Sequence, residues 1–208
     1  SEFDLSNGRK LRYYRSRYNI TEGALMMKYN PSGRISLLAG PIVQLYHVDS
    51  NRNEGRILGD NNIAGVDPKT VYESRRYVGL RVQMDIDTRN NKIITSRGFF
   101  WQSFFQSATG TNSQSKGITQ LRSDLSVFTS FSKAANFVIG ARAGVGVNLG
   151  AYEFFQAQYL GGHDNLRGFR RYRFAGDNMF YTNLDLRLHL FDFRGYFLPG
   201  SIGILGFN

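Results

Sequence analysis

The sequence predicts an all-β protein, an antiparallel transmembrane β-barrel, and three observations carry that prediction. The first is alternation. From residue 178 one face reads Asn178, Phe180, Thr182, Leu184, Leu186, Leu188, Leu190, and the other Met179, Tyr181, Asn183, Asp185, Arg187, His189, Phe191. Successive strand side chains point to opposite faces, so one face is greasy and the other polar and charged. The second is length. The alternating runs extend over roughly ten residues, enough for a tilted strand to cross a bilayer, whereas soluble strands average about five or six. The third is where the charges fall. Arg81, Arg122, Arg142 and Arg187 all lie on the polar face of their strands. On a lipid face near the midplane each would cost about 2–4 kcal/mol.

Composition agrees. Of 208 residues, 23 are Gly and only 4 are Pro, and 14% are aromatic, a mixture that favours strands. Cys is absent, which removes disulfides and Cys-ligated metals. No apolar run is long enough for a transmembrane helix, and "SEFDLSNGRK" lacks the apolar core of a signal peptide. The formal charge of +10 suits a nucleic-acid binder or a membrane protein whose loops meet anionic headgroups.

Taken in order, residues 9–19 ("RKLRYYRSRYN") are the first candidate strand, followed by 22–29 and 34–47. In 77–87, Val78, Leu80, Val82, Met84 and Ile86 oppose Gly79, Arg81, Gln83, Asp85 and Asp87. The run 97–107 follows. In 118–131, Leu121, Leu125, Val127 and Phe131 oppose Gln120, Arg122, Asp124 and Ser126. In 137–147, Phe137, Ile139, Ala141, Ala143, Val145 and Val147 oppose Gly140, Arg142, Gly144 and Gly146, whose glycines suit a crowded wall or a strongly bent strand. The runs 178–191 and 199–207 complete the set. The outsized links, 48–76 and 148–177, fall on the same side, as expected of a membrane barrel with short turns at one end and long loops at the other. A soluble sandwich or lipocalin-like barrel is the competing architecture.

The second long loop holds the most specific segment, "GGHDNLRGF". Gly161-Gly162, three residues, then Leu166-Arg167-Gly168-Phe169, followed by a strand with Asp185-Leu186-Arg187, resembles the bacterial surface antigen family of outer-membrane barrels. That family contains the BamA/TamA-type insertases and the two-partner secretion transporters. "DIDTRNNKIITSRGFF" (85–100) is similar to a hairpin of the same family, without the proline usual in its turn. The resemblance spans roughly residues 75–208. It implies a sixteen-stranded barrel of the bacterial outer membrane, of which this chain is expected to be an internal portion. It also implies that the loop folds into the lumen, with its arginine held by acidic groups on the wall. We therefore expect a lock built from Arg167, Asp185, Gly161, Gly162, Gly168 and Phe169, with Phe169 packed on the inner wall. Arg167 presents a planar fork suited to a carboxylate, and a buried Arg167–Asp185 pair would be worth about 3–5 kcal/mol on truncation. The expected lumen-facing charges are Arg81, Asp85, Asp87, Arg122, Asp124, Arg142 and Arg187. The implied partners are outer-membrane lipids and lipopolysaccharide, unfolded outer-membrane or secreted polypeptides, and other assembly-complex subunits. The implied function is assembly or insertion of outer-membrane proteins, or polypeptide translocation; the alternatives are a membrane barrel anchoring an attached enzymatic domain and, behind it, a soluble basic β-barrel binding nucleic acid.

No enzyme, cofactor or metal is expected. The three His are dispersed, and no nucleophile motif occurs. Asp85 and Asp87 share a face, as a carboxylate pair would, but read better as wall charges. "GDNN" (59–62) lacks EF-hand spacing. "LRYYRSRY" (11–18) interleaves basic and aromatic residues as a single-strand stacking platform does, yet a barrel strand carries the same pattern. Nucleic acid is therefore not an expected partner. Arg52, Arg56, Arg75 and Arg76 in the first long loop are placed to meet anionic headgroups.

Overall fold

The computed structural model describes residues 16–54, 56, 58, 70–132 and 135–189. Among the described residues ten strands form: β1 (Asn19–Ala24), β2 (Met27–Ser32), β3 (Ile35–His47), β4 (Arg75–Asp87), β5 (Gly98–Gly110), β6 (Ile118–Ser130), β7 (Phe137–Gly150), β8 (Gln158–Leu160), β9 (Phe174–Gly176) and β10 (Asn178–Leu188). The main sheet runs β1-β3-β4-β5-β6-β7-β10, with β2 also on β3, and β8 and β9 pair separately. All pairs are antiparallel. The sheet is not closed among the described residues.

Five of its strands have 13 or 14 residues, β3 to β7, and each keeps the sequence's alternation. One face carries exposed Val43, Leu45, Val78, Leu80, Val82, Trp101, Phe105, Leu121, Leu125, Val145, Leu184, Leu186 and Leu188. These residues cover no protein core, which is the arrangement a lipid solvent requires. The other face is polar, and the long loops pack on it; it is the inner face.

Residues 22–29 do not form one strand. Two collinear strands, β1 and β2, keep a single register against β3, from Asn19↔His47 to Met27↔Ala39. The break falls opposite Gly40 and Pro41. Leu25 N donates to Pro41 O (3.1 Å), but Pro41 has no N–H to return the bond. Residues 16–18 are not strand, and the rest of the expected 9–19 strand lies outside the described residues. So do the 199–207 strand, the last residues of 178–191, and the 59–62 segment.

The two long links are also more structured than loops. The first holds a helical turn, Ser50–Asn53, capped by Asp49, whose side chain accepts from Asn51 N. The second, shorter than expected because β7 continues to Gly150, holds a 3-10 turn, Phe154–Gln156, and the β8–β9 hairpin. Both links and 111–117 leave the same end of the sheet, the loop end; 88–97 and 131–136 leave the other, the turn end.

Candidate functional site

At the loop end the links fold onto the inner face. Phe155 stacks on Tyr46, with centroids 4.2 Å apart, in a cluster with Tyr77, Ala108 and Ile118. Tyr18 closes on Phe154 and Phe155 (5.7 and 5.8 Å), so this ring of the 11–18 segment serves packing and is no open stacking platform. Val48, Leu58 and Val71 make a second cluster from the first link. Arg75, read as a loop cation for headgroups, instead points inward because odd residues of β4 face that way. It ion-pairs with Glu153 (2.9 Å), and its Nη1 donates to Thr70 O and Glu73 O. Arg56 is buried. Arg52 stays exposed beside Asp49 (3.6 Å), and Arg76 points outward at the rim.

Below this plug the wall is a lattice of amides and charges. Arg81 donates to both oxygens of Glu22 (2.6 and 2.8 Å) and to Gln106, and Gln44 bridges Glu22 and Gln106. A second lattice joins wall to loop. Gln120, Asn148 and Gln158 interlock around the Gln156 carbonyl, and Arg122 Nε donates to Gln158 Oε1 (2.8 Å). Nothing about Gln156 or Gln158 singles them out in the sequence except the aromatic run around them, "YEFFQAQY" (152–159), which is unusually apolar for a loop.

The expected lock residues fall as follows. Gly161, Gly162 and Gly168 have φ of +124°, +98° and +89°, the left-handed region where a Cβ is strained. A Cβ on Gly161 would also lie 2.2 Å from Arg170 O. Gly162 N donates to Phe169 O (3.0 Å), closing the motif into a compact turn. Arg167 Nη1 donates to Asp185 Oδ1 (3.1 Å), on β10. The pair is not buried: the side chains are 59% and 34% exposed. Water already solvates the arginine, so the expected 3–5 kcal/mol falls to about 1 kcal/mol or less. Phe169 does not pack on the wall; it is half exposed and meets Phe174 of the same loop, edge-on at 5.5 Å.

The charges expected to face the lumen all lie on the polar, loop-covered face of the sheet. Asp124 accepts from Arg142 Nε (2.7 Å) and from Tyr181 OH. Asp85 accepts from Gln83 and Gln102, and Asp87 pairs with Arg89 (2.9 Å), so the two aspartates do not share a ligand site. That pairing holds the Arg89 guanidinium above its ordinary pKa. Arg187 donates to Thr95 O (3.3 Å), drawing the 88–97 turn beneath β10. In the long loop, a hydrogen bond to Asp177 raises the Tyr152 hydroxyl's pKa, and burial raises that of Tyr159. Between loop and wall lies a cavity of about 510 Å³, lined by Gln102, Arg122, Arg142, Asn165, Tyr172 and Tyr181 among others. Among the described residues no cluster of three metal-ligating side chains occurs, and no helix is long and apolar enough to cross a membrane.

A lipid-faced antiparallel sheet with a charged, loop-covered inner side is a segment of an outer-membrane barrel wall. The chain belongs to the Omp85 superfamily: the model described as "Omp85 superfamily domain" matches residues 6–196. Among solved structures it is similar to BamA from Haemophilus ducreyi lacking POTRA domains 1-3, with a TM-score of 0.63 and 14% identity over 82% of this chain. The chain spans 37% of that protein. No curated protein matches. The family places the protein in the bacterial outer membrane.

Proposed function

We propose that the chain is a wall segment of a barrel that assembles or inserts other outer-membrane proteins, with the glycine-framed loop folded inward as a lumen lock. One observation supports this reading above others. The loop reaches the inner face at several separate places, through Phe155, Gln156, Gln158, Asp164, Asn165 and Arg167. A loop that only covered the barrel's mouth would need none of the lower contacts. Its substrates are unfolded outer-membrane polypeptides. Further assembly subunits dock on the same protein, and lipids with lipopolysaccharide surround the apolar face. Catalysis has no part in this function.

Removal of residues 161–174 from the full-length gene in its own host tests the reading. Heat-modifiable outer-membrane barrels should decline several-fold in whole-cell extracts. Arg167→Ala alone should give a smaller decline, in keeping with its exposed ion pair. Undiminished barrels with loss of a secreted polypeptide would assign translocation instead. Normal levels of both would reject a working role for the loop.

A further inference from the structure

Arg142 on β7 and Asn183 on β10 face each other as cross-strand partners. Arg142 Nη1 donates to Asp164 O (2.5 Å), and Asn183 Nδ2 donates to Asn165 O (3.0 Å). One pair of wall side chains thus takes two successive carbonyls of the loop. Both sides of this contact are fixed in advance. On the wall, Asp124 holds Arg142 Nε, and the guanidinium lies over the Tyr181 ring, 5.4 Å from its centre. Tyr181 reaches Asp124 because Gly144 lies beneath its ring, where a Cβ would come within 2.4 Å of it. Gly140 and Gly146 flank the same inward row of β7, so Arg142 stands as the one long side chain in a trough. On the loop, Asn165 braces itself: its Oδ1 accepts from Gly161 N (2.9 Å), and its Nδ2 donates to Tyr159 O (2.8 Å).

We propose that Arg142 and Asn183 are the positioning residues that seat the loop on the inner wall, with Arg167–Asp185 an auxiliary contact. This rests on the inward-folded loop reading. A clamp that takes main-chain carbonyls is indifferent to the loop's side chains. The Arg142 bond is also charge-assisted, and its guanidinium is less exposed than that of Arg167 (37% against 59%) and already aimed by Asp124 and Tyr181, so less freedom is lost on seating the loop. Asp124 and Tyr181 act one step behind, by aiming Arg142.

The test is limited trypsin digestion of the full-length protein folded in detergent micelles, with cleavage followed after Arg170, Arg171 and Arg173. Heat-modifiable migration reports whether the barrel itself is intact, a property a seating clamp should leave unchanged. Arg142→Ala should speed loop cleavage about tenfold or more. Asn183→Ala should speed it several-fold, and Arg167→Ala by no more than about fivefold. Wild-type rates in both Arg142→Ala and Asn183→Ala, or a larger effect of Arg167→Ala, overturns the clamp while leaving the inward loop standing. A wild-type loop cut as fast as in denatured protein overturns the inward-loop reading itself. If Arg142→Ala does not fold, Asn183→Ala decides by the same criterion, since it leaves every wall charge in place.

Discussion

Two arginines with the same partner type differ in what they contribute, and exposure decides between them. Arg81 and Glu22 are 18% and 33% exposed at the side chain, with two short bonds and a further pair to Gln106. Arg167 makes one bond from a largely wet position. We expect Arg81→Ala to cost about 2–3 kcal/mol, because it leaves Gln106 Oε1 without a donor and the half-solvated Glu22 carboxylate with Gln44 Nε2 alone. Arg167→Ala should cost about 1 kcal/mol or less. Equilibrium urea unfolding of the full-length barrel in micelles measures both; equal losses would refute the exposure argument. Gly144→Ala is a test of close approach. The new methyl would displace the Tyr181 ring and with it the bond to Asp124, at about 1–3 kcal/mol. Gly23, with open space at the Cβ position, is the control and should tolerate Ala far better.

At the scale of the strand, alternation does two jobs: it sorts side chains between lipid and lumen, and it makes the sequence readable. Val82 and Gln83 are neighbours in the middle of β4, one outward and exposed, the other inward beside Asp85. Val82→Arg should reduce folding into lipid vesicles by about 2–4 kcal/mol, whereas Gln83→Arg places the same charge next to a carboxylate and should cost far less. A similar loss from both would mean that the outer face is not in hydrocarbon. The same period-two logic explains what was legible beforehand. Arg81, Arg122, Arg142 and Arg187 could be assigned to the polar face from parity alone, as could Asp124 and Asp185. What parity cannot reveal is where the chain departs from a plain ladder. The β1–β2 break arises on the partner strand, at Pro41, and the inward turn of Arg75 depends on β4 starting before residue 77. The 151–160 segment has no period at all. Its packing comes from Phe155 and its amides meeting three strands of the main sheet, β3, β6 and β7, which no local pattern encodes. The motif spacing did bring Arg167 beside Asp185, but spacing holds no information on how much water surrounds the pair.

Considered as a whole, the described residues have an oily outside, a polar inside and an aromatic plug at the loop end. The plug joins elements far apart in sequence: Tyr46 of β3, Tyr77 of β4, Ala108 of β5, Ile118 of β6 and Phe155 of the long loop. Phe155 sits at its centre, stacked on Tyr46 and edge-on to Phe154 (5.1 Å). Its removal would leave a ring-sized void beneath the loop, and truncating a buried Phe costs about 3–5 kcal/mol. The sheet does not depend on that ring for its ladder, whereas the loop does depend on it for its seat. Phe155→Ala should therefore loosen the plug while leaving the wall folded. In the full-length protein in planar bilayers, the variant should show a higher or more fluctuating conductance than wild type, with unchanged heat-modifiable migration. Phe180→Ala makes the comparison sharp, because it deletes an equal ring from the exposed outer face. It should leave conductance as it was, since lipid closes over the gap. Equal conductance in all three proteins would show that the aromatic plug does not govern passage through the lumen.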